Sequence, residues 1–292
     1  MRATGWVILG ALAAAAAVTA CASGKATTAA TAPTGVPAVP GETVGRFVWH
    51  DLVTDDMAAS QKFYAALLGW EFESTTRSGR PYLIARSGGQ ATGGIVQRAE
   101  TRTGPATWLA YLSVTDLDRA LGQVTSAGGK VLLPPAAVGA YGHVAVVLDP
   151  QGAPLGLAGV TGTLSAEPAQ PPLHQFFWME HLAKDGPAAL AFYKGLAGYD
   201  SSVAPTEGGI EYNVLKRGRS RAGLLQIPPA LEGVQPNWLP YVRVEDPAAL
   251  AAKAVALGGK VVIQPRADVR HGTLAVITDP RGAALALQKW PL

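Results

Sequence analysis

Apolar and polar positions alternate and then switch to helical spacing, in a cycle that recurs along most of the chain. RFVWHDLVT, from Arg46, predicts a strand. Met57, Ala58, Phe63, Ala66 and Leu67 then fall at helical spacing, with Asp55 or Asp56 as the cap and Gly69 as the stop. Strand-like runs follow from Trp70 to Thr75, Tyr82 to Arg86 and Gly94 to Gln97, separated by Gly, Ser and Arg turn residues. The cycle restarts with a strand from Trp108 to Val114, a helix from Asp116 to Ala127, and strands near Val131, from Val144 to Leu148 and from Pro154 to Ala158. The order is therefore βαβββ, twice.

That pair of units is itself repeated. WHDLVTDDMAASQKFYAALLGW, from Trp49, overlies WMEHLAKDGPAALAFYKGLAGY, from Trp178, without a gap. Trp49/Trp178, Asp56/Asp185, Phe63/Phe192, Tyr64/Tyr193, Leu67/Leu196 and Gly69/Gly198 all match. At an offset one residue longer, Trp108-Leu109-x-Tyr111 matches Trp238-Leu239-x-Tyr241, and Gly128-Gly129-Lys130-Val131 matches Gly258-Gly259-Lys260-Val261. Asp149-Pro150-x-Gly152-Ala153 then matches Asp279-Pro280-x-Gly282-Ala283. One inserted residue over so long a stretch implies a duplicated domain. The copies are predicted at 46–159 and 174–290, joined by a polar, Pro-containing linker at 160–173.

The N-terminal segment has a different character. One basic residue, Arg2, precedes the apolar run from Trp6 to Ala20, which is short for a bilayer-spanning helix (~20 residues) and matches a signal-peptide core. Small residues lead into Cys21, as in a bacterial lipobox, so residues 1–20 are expected to be a lipoprotein signal peptide and Cys21 the lipidation site. Alternatives are a plain secretory leader and an uncleaved anchor. Residues 21–45 have almost no charge and no aromatic residue, and read as a flexible tether. The expected location is outside the cytoplasmic membrane, with the chain anchored by lipid to the bacterial cell membrane or outer membrane.

Composition narrows the chemistry. A hydrophobic content of 48% against 15% charged residues excludes a disordered chain, and a formal charge of +3 is too small to argue for a nucleic-acid partner. The single cysteine excludes an internal disulfide framework and a CxxC zinc site, and its expected use as the lipid anchor leaves none for a Cys-His catalytic pair.

A repeated βαβββ unit with Asp before the helix, Phe-Tyr near its end, Leu-x-Gly-Trp or Tyr after it, then Gly-Gly-Lys and Asp-Pro-x-Gly, resembles the vicinal oxygen chelate superfamily. That group includes glyoxalase I, bleomycin-resistance proteins and extradiol dioxygenases. The resemblance runs from Arg46 to Gln288 and is greatest to bacterial members with two such domains on one chain. It implies an α+β fold in which each pair of units curls a mixed, mostly antiparallel sheet around a central cleft holding a metal and substrate, or a ligand alone.

In catalytic members of that family a His lies on the first strand and a Glu on the last. The corresponding positions here hold Trp49 and Trp178, and Gly156 and Ala286, while Trp108-Leu109 and Trp238-Leu239 replace an expected His. None of these side chains binds a metal. No metal cofactor is therefore expected, and Ni, Zn, Mn or Fe enters only if the alignment has misplaced the ligands. His50 and His181 are weak metal candidates, since strand alternation turns them away from Trp49 and Trp178. His143 and His271 lie on loops expected near the cleft mouth, as ligand contacts or as solvated loop residues.

If Trp49 faces the cleft, alternation puts Asp51 beside it, and Trp178 with Glu180 repeats the arrangement. An indole beside a carboxylate can stack a planar ligand and accept a hydrogen bond or pair with a cation. The alternative is that the indoles fill vacated space and the carboxylates bond backbone or an Arg. Ligand-binding candidates are thus Trp49, Asp51, Trp108, Trp178, Glu180, Trp238, His143 and His271. The basic run Lys216-Arg217-Gly218-Arg219-Ser220-Arg221 reads as a hairpin tip, with anionic lipid or an anionic ligand as alternatives. Three functions stay open: bleomycin-resistance-like small-molecule binding or sequestration, a metal-dependent glyoxalase-like lyase/isomerase or dioxygenase, and an envelope scaffold with closed clefts. Internal pairing of the two copies makes a monomer plausible.

Overall fold

The structure, a computed structural model, describes residues 43–99, 103–138, 142–160, 164, 167–206, 210–231 and 233–291. The signal peptide, Cys21 and nearly all of the tether expected from the sequence lie outside the described residues. Four βαβββ units follow one another. The first comprises β1 (Phe47–Thr54), α1 (Met57–Leu68), β2 (Glu71–Arg77), β3 (Arg80–Ser87) and β4 (Gln90–Gln97). The second comprises β5 (Thr107–Ser113), α2 (Leu117–Ser126), β6 (Lys130–Ala137), β7 (His143–Leu148) and β8 (Pro154–Gly159). The third comprises β9 (Phe176–Ala183), α3 (Gly186–Ala197), β10 (Asp200–Ala204), β11 (Tyr212–Arg217) and β12 (Arg219–Gln226). The fourth comprises β13 (Asn237–Arg243), α4 (Pro247–Ala256), β14 (Lys260–Ile263), β15 (Leu274–Thr278) and β16 (Ala284–Gln288).

Each helix starts at an aspartate whose carboxylate accepts the backbone N–H three residues on: Asp56 from Ala59, Asp116 from Arg119, Asp185 from Ala188 and Asp246 from Ala249. Asp56, not Asp55, is the cap of α1; Asp55 instead pairs with Arg281 and Arg98. The α1 helix stops at Gly69, whose φ of 69° only glycine adopts without cost.

Units one and two share an open eight-stranded sheet in the order β2-β3-β4-β1-β5-β8-β7-β6, and units three and four repeat it as β10-β11-β12-β9-β13-β16-β15-β14. At the middle of each sheet the first strands of the two units run antiparallel, β1 with β5 and β9 with β13. Each of those strands pairs in parallel with the last strand of its own unit.

The helix-bearing faces of the two sheets pack on each other. One core joins unit one to unit four through Leu52, Phe63, Tyr64, Trp70, Val242, Ala254 and Leu285, with Trp108 of unit two packed in, and a second joins unit two to unit three through Leu112, Val124, Leu157, Met179 and Tyr193, with Trp238 of unit four packed in. Phe176 lies against Trp70, Trp108 and His50 between them. The two sequence motifs that identify each copy meet here. Asp149 of the Asp-Pro-x-Gly turn accepts two turn N–H groups on Oδ1 and the Tyr193 hydroxyl of the other copy on Oδ2, at 2.8 Å. Asp279 does the same for Tyr64, at a longer 3.4 Å.

The connection between the copies is pinned by Glu167, which pairs with Arg46, Arg219 and Arg221. The basic hairpin tip is therefore only partly solvated. The Arg221 side chain is buried against Glu167, and Arg217 donates to the Ala197 carbonyl at the C-terminus of α3, where a cation also suits the helix dipole.

Candidate functional site

The helix-free face of each sheet carries a buried carboxylate in a shell of donors. In the first copy, strand alternation puts Trp49 and Asp51 on this face, and the β1–β5 register sets Tyr111 opposite Trp49. Trp49 Nε1 donates to Asp51 Oδ1 at 2.8 Å, and the Tyr82 hydroxyl donates to the same oxygen at 2.5 Å. Asp51 Oδ2 receives Arg77 Nη1 at 2.6 Å and the Tyr111 hydroxyl at 2.9 Å. Each oxygen thus accepts two hydrogen bonds, filling the acceptor sites of a carboxylate that is 2% exposed.

The second copy uses the same positions for its indole, carboxylate and tyrosines and a different one for its arginine. Arg270 Nη2 reaches Glu180 Oε2 at 2.8 Å and the Tyr212 oxygen at 3.0 Å, while Trp178 Nε1 donates to Tyr212 at 3.1 Å. The Tyr241 hydroxyl is buried where the Glu180 charge helps to raise its pKa. In both copies the guanidinium lies over two tyrosine rings: Arg77 over Tyr82 and Tyr111, and Arg270 over Tyr212 and Tyr241, at 5.2–5.7 Å from the ring centres. The two clusters lie on separate faces and share no residue.

Glycines make room for the tyrosines. A Cβ at Gly94 would fall 1.8 Å from the Tyr82 hydroxyl oxygen, and one at Gly223 would fall 1.9 Å from that of Tyr212. At Gly156 a Cβ would meet the Tyr111 ring at 2.3 Å. Tyr111 therefore occupies the space into which the family's last-strand carboxylate would project.

The donor set does not fit a divalent ion. Each cleft offers one carboxylate, already bonded to an arginine, and no group of three or more His, Cys, Asp or Glu side chains is close enough to hold a metal among the described residues.

Electrostatics keep the hydroxyls protonated. Burial, reinforced by the neighbouring carboxylate, raises Tyr82, Tyr111, Tyr212 and Tyr241 above the ordinary phenol value, so all four are donors at neutral pH. Burial alone would lower Arg77 and Arg270, but Asp51 and Glu180 with the surrounding tyrosines hold them above the usual guanidinium value.

Trp49, Asp51, Trp178 and Glu180 come together on the helix-free faces. Trp108 and Trp238 do not, which corrects their assignment as cleft residues. Trp108 pairs with Leu52 and shares its face, the interdomain core, where its indole donates to Tyr64; Trp238 does the same with Tyr193. It is Leu109 and Leu239 that share a face with Tyr111 and Tyr241. His143 is corrected likewise: it shares a face with the buried Ala145 and Val147 and sits exposed at the start of β7, on the helix-bearing side. His271 is exposed, and its neighbour Arg270 is the residue that reaches into the cleft.

His50 and His181 are in the interdomain core rather than in either cleft. His50 stacks on Phe176 with ring centres 4.0 Å apart, and burial lowers its pKa to about 3. His181 is fully buried beside Trp238 and Tyr193, 3.5 Å from Asp149. Burial lowers its pKa to about 4 although Asp149 pulls the other way.

Of the two alternatives for Asp51 and Glu180, the one in which each carboxylate bonds an arginine is what the structure has, while the tyrosines of the shell were not among the candidates. The tyrosines repeat between copies, Tyr82 with Tyr212 and Tyr111 with Tyr241, and two of them stand in the matched Trp-Leu-x-Tyr motif. The arginines do not repeat: Arg77 comes from β2 and Arg270 from a single 3-10 turn, Arg270–Gly272, in the last unit.

Residues 44–157 match the family model described as the glyoxalase/bleomycin resistance protein/dioxygenase superfamily. The chain is 33% identical over 249 residues to "Putative glyoxylase CFP32" of Mycobacterium tuberculosis, spanning 82% of this chain and 93% of that protein. It is 29% identical over 260 residues to the anthracycline biosynthesis protein DnrV of Streptomyces peucetius, spanning 83% and 92%. Among solved structures, the Mn(II)-bound glyoxalase from Novosphingobium aromaticivorans superimposes with a TM-score of 0.55 at 15% identity, covering 85% of this chain and 82% of that one. A homoprotocatechuate 2,3-dioxygenase from B. fuscum superimposes with a TM-score of 0.58 at 17% identity, covering 88% and 74%. At these identities the structures share the fold.

Proposed function

The chain belongs to the glyoxalase/bleomycin resistance/dioxygenase superfamily, and on that premise we propose that it is a lipid-anchored extracytoplasmic protein binding a small planar molecule in two metal-free clefts. The observation that carries this reading is the replacement of the family's ligand positions by a duplicated Trp–carboxylate–Tyr–Arg cluster, cradled by glycines that admit nothing larger. An indole and two phenol rings give a planar ligand apolar faces, and the ordered donors orient it. The name of DnrV associates that relative with anthracycline biosynthesis, and anthracyclines are planar molecules.

Metal content tests this. The full chain is incubated with Ni, Zn, Mn and Fe(II) and freed of loose ion; retention of no metal is expected. One ion held per domain would overturn the reading and direct work to lyase and dioxygenase assays, the chemistry named for the solved relatives. The anchor has its own test: Cys21→Ala is expected to abolish lipid incorporation and membrane partition, and a correctly processed mutant still in the membrane fraction would refute it.

A scaffold with closed clefts is the second reading. It is favoured by two depressions among the described residues that lie away from the clusters, one of about 190 Å³ beside Ile210, Gln226 and Pro229 and one of about 300 Å³ beside Arg243, Lys289 and Trp290. Absence of any ligand-induced change in Trp fluorescence across a library of planar compounds would support it.

A further inference from the structure

We infer that the two clefts select anions: each presents a ring-flanked guanidinium as its ligand-facing group, fitted to the oxyanion of a planar aromatic molecule such as a carboxylate. The inference rests on the small-molecule reading above and specifies the ligand's charge.

Three observations carry it. First, Asp51 cannot be the ligand contact. Its two oxygens already accept Trp49, Tyr82, Arg77 and Tyr111, so it has no acceptor capacity left for a ligand's donor. Second, the exposed end of each ion pair is the cation. The Arg77 side chain is 24% exposed against 3% for Asp51, and Arg270 is 26% exposed against 10% for Glu180. A guanidinium has five N–H donors, and the carboxylate and nearby hydroxyls leave others to meet a ligand bidentately. The buried carboxylate and the tyrosines beneath fix its orientation, so little side-chain entropy remains to be lost on binding.

Third, the second copy builds the same feature from an unrelated place at a conformational cost. Arg270 and His271 adopt φ of 46° and 52°, the left-handed region that L-residues rarely occupy. The turn is held by the Thr273 amide donating to the Arg270 carbonyl at 3.0 Å. The fourth unit thus aims Arg270 at Glu180 from across the cleft, while the first copy achieves the same arrangement with Arg77 on β2.

The test compares an aromatic carboxylate with its neutral isostere. The full chain is titrated calorimetrically with 2-naphthoate and 2-naphthamide. We expect two naphthoate sites per chain, with naphthoate bound about tenfold or more tightly than the amide, as a charge-assisted hydrogen bond requires. The paired variants Arg77→Gln/Asp51→Asn and Arg270→Gln/Glu180→Gln neutralise one cleft each without stranding a buried charge. Each should delete one site's preference for the anion. Arg77→Lys, which keeps the charge but not the fork, guards against a folding defect and should retain part of the preference.

Equal binding of naphthoate and naphthamide in the clefts would overturn anion selection and leave small-molecule binding standing. Failure of both ligands to bind would overturn the two together. A naphthoate preference unchanged in both paired variants would also overturn the assignment, since the anion would then be bound elsewhere.

Discussion

Removing one buried hydroxyl, by Tyr193→Phe, tests how the two copies are held together. The ring and its packing survive, so the change isolates two hydrogen bonds. Tyr193 donates to Asp149 Oδ2 at 2.8 Å and accepts from Trp238 Nε1 at 2.9 Å, and none of the three side chains is more than 3% exposed. Loss of a bond to a charged acceptor costs roughly 1.5–3 kcal/mol, and a buried indole N–H left without a partner adds roughly 1–3 kcal/mol. The expected total is about 3–5 kcal/mol. The equivalent Tyr64→Phe should cost about 1–2 kcal/mol less, because the Tyr64–Asp279 contact is already stretched to 3.4 Å. Urea denaturation followed by Trp fluorescence gives both values. In an Asp149→Asn background the cost of Tyr193→Phe should shrink by about 1–2 kcal/mol, the signature of coupled partners. Equal small losses below about 0.5 kcal/mol for both tyrosines, or strict additivity with Asp149→Asn, would refute the claim that these motif residues lock the interface.

Two further outcomes follow from burial and packing. His50 and His181 have folded pKa values lowered to about 3 and about 4, so in the folded state they stay neutral where the unfolded chain binds protons. Stability should therefore be full above about pH 6.5 and fall as pH drops toward 4, each histidine removing up to about 1.4 kcal/mol for every tenfold rise in proton concentration. His181→Leu, which installs the residue found at the equivalent Leu52, should make the pH profile shallower; an unchanged slope would contradict the assignment. Gly94→Ala should cost about 2 kcal/mol or more in thermal unfolding, because its Cβ would overlap the Tyr82 hydroxyl. The Gly94→Ala/Tyr82→Phe double variant should recover part of that loss, and no recovery would mean that the strain lies elsewhere.

Much of the architecture was legible along the chain, because it depends on local rules. Period-two and helical spacing marked the four units, the aspartate caps and Gly69 marked helix ends, and the duplicated Trp-Leu-x-Tyr and Asp-Pro-x-Gly motifs marked the two copies. Alternation on one strand was enough to put Trp49 with Asp51 and Trp178 with Glu180. It was not enough for Trp108 and Trp238, because the face of a second strand depends on its register with the first, and β5 meets β1 with Trp108 opposite Leu52.

Only the tertiary structure decided who partners the carboxylates. Arg77 and Arg270 occupy non-equivalent positions in the two copies, so no comparison of the repeats with each other reveals them. Their convergence on Asp51 and Glu180 depends on how β2 and the Arg270 turn approach across each sheet. The same holds for Asp149 and Asp279. As letters they are a turn motif, and a turn does account for the Oδ1 bonds. The bond that Oδ2 accepts from a tyrosine of the other copy exists because two sheets stack on their helix-bearing faces, an arrangement between distant residues that local spacing does not encode.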